Sequence, residues 1–173
     1  MPGEPRLRHN PLIDPRELEQ LHGQCFSWAL TCTRGHRSEA EDVLQMTYLA
    51  IIEGRARFDG GSGLKTWMFA VIRNQARSRW RRMSHALQSL GRLAAFAAIE
   101  HDVQLADDTD QLIAALHALP ARQREVLDLV FYRGLPIAEA AAVLGIGLGT
   151  ARTHYERGKA ALRRQLAAQE RTP

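Results

Sequence analysis

Apolar and polar positions alternate at helical spacing along almost the whole chain, and the breaks between these stretches fall at Gly, Pro and capping residues. Pro15 suits a first helical turn with Asp14 as its cap, and Leu18, Leu21, Cys25, Trp28, Ala29 and Cys32 follow at core spacing until Gly35. Ser38 with Glu41 three residues later reads as a capping box for a second helix that turns Val43, Leu44, Thr47, Tyr48, Ile51 and Ile52 inward. Gly54 to Gly63, containing FDGGSG, is a loop. Leu64 to Met83 is a third helix, with Leu64, Trp67, Met68, Val71, Ile72 and Ala76 as its apolar stripe and Arg73, Asn74, Arg77, Arg81 and Arg82 on the wet side.

The pattern weakens between Ser84 and residue 109, which reads as a partly helical linker. It resumes near Asp110 with Leu112, Ile113, Leu116 and Leu119, and Pro120 stops or restarts the helix. Arg122 to Tyr132 is expected to be helical with Val126, Leu127, Val130 and Phe131 inward. From Gly134 to Leu166 the chain reads as a helix-turn-helix. Ile137, Ala140, Ala141 and Leu144 form one apolar stripe, Gly145-Ile146-Gly147 breaks it, and Leu148, Ala151, Tyr155, Gly158, Leu162 and Leu166 form the next. The opposite face of that last helix holds Gly149, Arg152, Thr153, Glu156 and Arg157, groups that can reach base edges in a major groove. The fold class expected is all-α: two small helical domains joined by a linker, with no strand and no internal repeat.

Composition changes this picture chiefly through the placement of charge. The 173 residues carry 23 basic and 19 acidic side chains, a net charge of only +4. Gly60 to Ile99 has no acidic residue but holds Lys65, Arg73, Arg77, Arg79, Arg81, Arg82 and Arg92, whereas Leu93 to Ala121 has no basic residue but holds Glu100, Asp102, Asp107, Asp108 and Asp110. A basic block inside a folded region suits phosphate binding, and a solvated helix face is the plainer reading. Cys25 and Cys32 are too few for a disulfide framework and sit too far apart on one helix to bridge. The N-terminus lacks a signal-peptide core and no apolar run is long enough to span a bilayer, so a cytoplasmic protein that is not membrane-inserted is expected.

Three stretches carry a family resemblance. AEDVLQMTYLAI (Ala40 to Ile51), FDGGSGLKTWMFAVIRNQARSRWRR (Phe58 to Arg82) and LPARQREVLDLVFYRGLPIAEAAAVLGIGLGTARTHYERGKAALRR (Leu119 to Arg164) resemble, in order, segments of region 2 and region 4 of a group IV, extracytoplasmic-function sigma-70 factor. The resemblance implies a flexible N-terminus at 1–14, a three-helix region 2 domain at 15–83, a linker at 84–109, a region 4 helix-turn-helix domain at 110–167 and a tail at 168–173. It implies an RNA polymerase sigma factor, not an enzyme and without a cofactor, that binds core RNA polymerase and promoter DNA and answers to an anti-sigma factor. By the same resemblance Glu41, Asp42 and Gln45 would meet the polymerase. Gly60, Gly61, Ser62, Lys65, Asn74, Arg77 and Arg81 would melt and hold the minus-ten element, and Thr150, Arg152, Thr153, Glu156 and Arg157 would read the minus-thirty-five element. Met46, Ser78, Tyr155 and Gly158 depart from residues common in the family.

Several features have a plain and a functional reading side by side. Trp67 lies on an apolar stripe and reads as core, while Trp80, between Arg79 and Arg81, suits either base stacking or a linker contact. The acidic run from Glu100 to Asp110 reads as solvated linker. His22, Cys25, Cys32 and His36 are metal-ligand types, but fourteen residues of helix separate the two histidines by about 21 Å, so no common ion is expected. No nucleophilic triad, paired-carboxylate motif, Walker loop or dinucleotide fingerprint supports catalysis. The residues alone leave two alternatives to a sigma factor: a duplex-binding regulator with a response-regulator-like tail, and an adaptor that binds only protein through its first domain.

Overall fold

The computed structural model describes residues 12–89 and 115–169 apart from His117, and every regular element among them is helical. The chain divides into two compact units, Met1–His101 and Asp102–Pro173.

In the first unit, α1 (Pro15–Cys32), α2 (Arg37–Ile52) and α3 (Leu64–Ser89) pack pairwise around one core. Asp14 caps α1 as expected, its carboxylate accepting from the Arg16 amide at 2.9 Å, with Pro15 in the first turn. The helix ends where Arg34 and Gly35 adopt left-handed φ values of 58° and 87°. Thr33 ties this turn, its hydroxyl donating to the carbonyls of Ala29 at 2.9 Å and His36 at 3.2 Å. That arrangement starts α2 at Arg37 with an extended His36 before it. Ser38 therefore falls inside the first turn and does not cap, and the expected capping box is absent; Glu41 pairs instead with Arg37, at 3.0 Å.

Trp28, Met68, Phe69 and Ile72 are the largest fully buried side chains of this core, joined by Cys25, Val43 and Thr47. The Trp28 indole N–H donates to the Phe69 carbonyl at 2.9 Å, and the two rings stack with centroids 5.7 Å apart, which pins α1 to α3 and satisfies the one polar atom of a buried indole. Two corrections concern α3. It runs past Met83 to Ser89, since nothing between those residues breaks a helix. Arg73, expected on the wet side, is buried, because Phe69, Ile72, Arg73 and Ala76 form a continuous inward stripe at i, i+3, i+4 and i+7.

The second unit contains α4 (Ala121–Leu127), a π-helical turn (Asp128–Tyr132), α5 (Ile137–Leu144) and α6 (Leu148–Gln169), and α6 packs on both α4 and α5. Leu112 and Ile113, expected on a preceding helix, lie outside the described residues; Ala115 and Leu119 are buried. The π turn corrects the expectation of a plain helix through Tyr132. The Arg133 amide reaches back to the Asp128 carbonyl at 3.0 Å, and the Arg133 guanidinium holds the Asp128 carboxylate at 2.8 Å, both side chains largely buried. One residue is inserted into the helical phase, so Leu129 turns fully inward, Val130 is half-buried, and Phe131 swings out to 64% exposure.

The turn of the helix-turn-helix follows its expected chemistry. Gly145 is left-handed at φ 59° and ψ 41°, and the amides of Gly145 and Ile146 donate to Ala142 and Ala141, each at 3.1 Å, the paired bonds of a Schellman end. Beyond it, Ala151 and Gly158 face inward. Gly158 is where α6 crosses α4: a Cβ there would lie 3.0 Å from Leu127 Cδ1 and 3.3 Å from Gln123 Cβ. Leu148, expected on the apolar stripe, is exposed at the mouth of α6.

Candidate nucleic-acid and partner surfaces

Three surfaces gather most of the residues singled out in the sequence. On α2, Glu41, Asp42 and Gln45 are all exposed. Asp42 pairs across to Arg79 on α3 at 2.8 Å, which the sequence reading missed because the partners are far apart in the chain. Helical spacing continues this face from Asp42 and Gln45 to Leu49 and Ile52, both exposed, at 50% and 44%. Ile52 was expected inward, but Ile51 takes the buried place at the end of α2. The result is a polar edge leading onto an apolar stripe, a composition suited to burial against a partner. Behind it, Tyr48 Oη and His22 Nδ1 lie 2.9 Å apart, and burial lifts the Tyr48 phenol to about 12, with the nearby Cys25 thiol adding a smaller push.

The second surface belongs to the loop before α3 and to α3 itself. Gly60 adopts φ 77°, and the Gly61 amide donates to the Asp59 carboxylate at 2.9 Å, so an Asx turn holds Gly60, Gly61 and Ser62 out in solvent. Phe58 anchors the loop against Trp67, ring centroids 5.3 Å apart. Asn74, Arg77 and Arg81 are exposed at i, i+3 and i+7, one stripe that Arg82 and the 57%-exposed Trp80 border. Lys65 does not share it. It precedes Asn74 by two and a half helical turns, which places it on the opposite side of α3, half-buried with its ammonium 5.8 Å from the Phe69 ring centroid.

The third surface is the outer face of α6. Thr150, Arg152, Thr153, Glu156 and Arg157 are all exposed over the first three turns. The Thr153 hydroxyl is occupied by the Gly149 carbonyl at 3.0 Å, and Glu156 accepts from Lys159 at 3.0 Å, leaving Arg152 and Arg157 as the cations directed to solvent. The face can enter a groove because the Gly145 turn braces α6 against α5 while Gly158 seats it on α4.

A three-helix unit with an exposed basic stripe, followed by a helix-turn-helix unit, defines the architecture of a two-region helical transcription factor. Sigma-70 region 2 matches residues 18–85, and Sigma-70 region 4 matches residues 109–162. The chain is 31% identical over 129 residues to the ECF RNA polymerase sigma factor EcfG of Rhodopseudomonas palustris, covering 74% of this chain and 71% of that one. It is 33% identical over 135 residues to the ECF RNA polymerase sigma factor SigF of Caulobacter vibrioides, covering 74% and 71%. Among solved structures, the sigma factor RpoE of Bartonella quintana, determined in complex with the anti-sigma factor NepR, superposes with a TM-score of 0.73 at 27% identity over 88% of this chain and 95% of that one. The chain belongs to the extracytoplasmic-function, group IV branch of the sigma-70 family, and its role is that of a factor for transcription initiation. No described helix is long and apolar enough to cross a membrane.

Proposed function

We propose that the chain directs core RNA polymerase to a two-element promoter, with a division of labour between its units. The α2 face of Glu41, Asp42, Gln45, Leu49 and Ile52 binds the polymerase. The α3 stripe of Asn74, Arg77 and Arg81, with the Gly60-Gly61-Ser62 loop, opens and holds the minus-ten element. The α6 face of Thr150, Arg152, Thr153, Glu156 and Arg157 reads the minus-thirty-five element. The observation that supports this most directly is the exposure, on separate units, of a basic stripe suited to a phosphate track and of a recognition-helix face bearing two outward guanidinium groups. An arginine bridging the two acceptors of a guanine supplies about 1–3 kcal/mol of discrimination, enough to select a sequence, whereas phosphate contacts along α3 hold any strand.

Opening needs no covalent chemistry. A base leaving the stack costs a few kcal/mol, and a loop without side-chain bulk at Gly60 and Gly61 leaves room to receive it while cations on α3 retain the displaced backbone. The similarity to a sigma factor solved with an anti-sigma factor supports a protein inhibitor for this chain as well, one that competes for the α2 face. The deciding experiment reconstitutes the purified chain with core polymerase on fragmented genomic DNA and sequences the transcripts. Start sites that share two upstream elements are expected; duplex binding by the chain alone with no factor-dependent transcript would refute the proposal in favour of a conventional regulator.

A further inference from the structure

The π turn carries a surface that the proposed function leaves unused. Phe131 and Tyr132, at 64% and 76%, are the two most exposed large apolar side chains among the described residues, yet both are held in place. The Phe131 ring stacks on Tyr155 of α6, centroids 5.6 Å apart and planes 20° apart. The Arg133 guanidinium lies 5.3 Å from the Tyr132 centroid while gripping Asp128 beneath the turn. Preorganised aromatic groups of this kind bind without paying the ordering entropy of flexible ones.

Charge and continuity identify what they meet. Tyr155 shares one flank of α6 with Arg152, Lys159 and Arg163, at i−3, i+4 and i+8, and the Lys159 ammonium lies 4.4 Å from its ring centroid. The aromatic pair thus continues a cationic flank, and Arg152 on that flank also belongs to the recognition face. A helix about 10–12 Å across fills a major groove about 12 Å wide, so its flanks press on the two sugar-phosphate strands that bound the groove. A group stacked against a flank meets backbone, not base edges.

We propose that Phe131 and Tyr132 form a promoter-backbone contact beside the recognition helix: the Tyr132 hydroxyl donates to a phosphate oxygen, Phe131 packs on the adjoining deoxyribose, and Lys159 and Arg163 supply the charge. This rests on the duplex-binding role given above to α6. The contact adds affinity without sequence preference and fixes how deeply α6 sits.

The test measures fluorescence anisotropy of the full chain on a labelled duplex enriched from a random pool by binding to that chain, and on a scrambled version, over a range of salt. Tyr132→Phe and Phe131→Leu should each weaken both duplexes by roughly three- to tenfold, leaving their ratio unchanged. Neither variant removes a charge, so the slope of log K against log salt should stay that of the parent, whereas Lys159→Ala should reduce the slope by about one and Arg152→Ala should erode the preference for the enriched duplex. Tyr132→Phe removes a single oxygen from an exposed side chain and keeps the fold, which unchanged amide-exchange protection of α4 and α6 would verify. Unaltered duplex affinity in both variants would overturn the proposal, as would a wild-type chain that binds no duplex. Intact duplex binding with impaired polymerase assembly would overturn it too, making the turn a protein-docking face. A chain that binds duplex through this contact but supports no factor-dependent transcript would refute the two-element promoter function proposed above and leave the contact standing.

Discussion

The same substitution, Gly to Ala, should have opposite signs at two helical positions, because only one of them is a helix crossing. At Gly23, in the middle of α1 and exposed, an added methyl meets nothing within 4 Å, so the change gains helix propensity of about 1 kcal/mol at no packing cost. At Gly158 the same gain is opposed. The new Cβ would lie 3.0 Å from Leu127 Cδ1, 3.2 Å from its Cγ and 3.3 Å from Gln123 Cβ. A rotamer change can withdraw Cδ1 and Cγ of Leu127, but the Gln123 Cβ is fixed to the α4 backbone, so α4 itself must shift, and overpacking of this kind costs about 1–3 kcal/mol. The crossing term wins, and Gly158→Ala should destabilise the second unit by about 1 kcal/mol net. The assay exploits tryptophan placement: all three, Trp28, Trp67 and Trp80, lie in the first unit, so their fluorescence follows that unit alone in denaturant. Gly23→Ala should raise the fluorescence midpoint, and Gly158→Ala should leave it unmoved while amide exchange in α4 and α6 accelerates severalfold. Slower exchange in α4 and α6 on Gly158→Ala would refute the reasoning, since it would mean that propensity outweighs the crossing.

Other expectations follow from the ion pairs, the phenol and the α2 stripe. Removing one partner of the buried Asp128–Arg133 pair, as in Asp128→Leu or Arg133→Met, should destabilise the second unit by about 3 kcal/mol, whereas the double change Asp128→Leu with Arg133→Met should recover most of the loss, measurable as a double-mutant cycle by amide exchange. Burial raises the Asp128 carboxyl above its ordinary range against the opposing pull of Arg133 and Arg124, so its ionised form costs stability above that raised value and the cost is relieved as pH falls toward 3.8; acidification should therefore show a smaller loss of second-unit stability in wild type than in Asp128→Asn. With its phenol pushed up to about 12, Tyr48 favours the folded state fully below pH 10 and loses that contribution as pH rises through 12, and ultraviolet titration should show one late phenolate that Tyr48→Phe abolishes. Leu49→Glu, at a half-exposed site on α2, should leave the fluorescence midpoint within about 0.5 kcal/mol of wild type but weaken core-polymerase binding at least tenfold; unchanged binding by co-sedimentation would remove the apolar stripe from the interface.

Features fixed by neighbouring residues were legible in the sequence. The Asp14 cap with Pro15, the Gly145 turn and the inward Ala151 all follow from local chemistry at fixed offsets. The misreadings have longer-range causes. Thr33 bonds across the turn to His36 and moves the start of α2, which displaces Ser38 from the cap. The π turn arises from a pairing five residues apart, a spacing that neither helical periodicity nor capping rules register, and it turns Phe131, expected inward, out to solvent while Leu129 is buried. Arg73 looks like its basic neighbours in sequence, but its place on the wheel beside Phe69 and Ala76 buries it. At the candidate surfaces the exposed residues of α6 fell where periodicity put them, whereas Lys65, grouped with the α3 stripe by sequence similarity, lies on another side of the helix.

The Asp42–Arg79 and Asp128–Arg133 ion pairs are built for different behaviour, and the difference matches where they sit. Asp42 and Arg79 join α2 to α3 with their side chains 50% and 31% exposed, and a pair so solvated contributes less than about 1 kcal/mol. α2 is already held to α3 by the core that its buried Val43, Leu44 and Thr47 share with Met68, Phe69 and Ile72, so Asp42 can exchange Arg79 for a cation of a partner without loosening the unit. Asp128 and Arg133 cannot exchange in that way. With only 18% and 3% of their side chains accessible, opening the pair leaves a buried charge uncompensated, at a cost several times larger. An exchangeable pair at the proposed polymerase face permits association by substitution of one charge for another, while a locked pair beneath Phe131 and Tyr132 keeps the turn rigid beside the recognition helix. The cost of opening each pair thus ranks inversely with its availability to a partner, which explains how one small chain can keep one surface adaptable and another fixed.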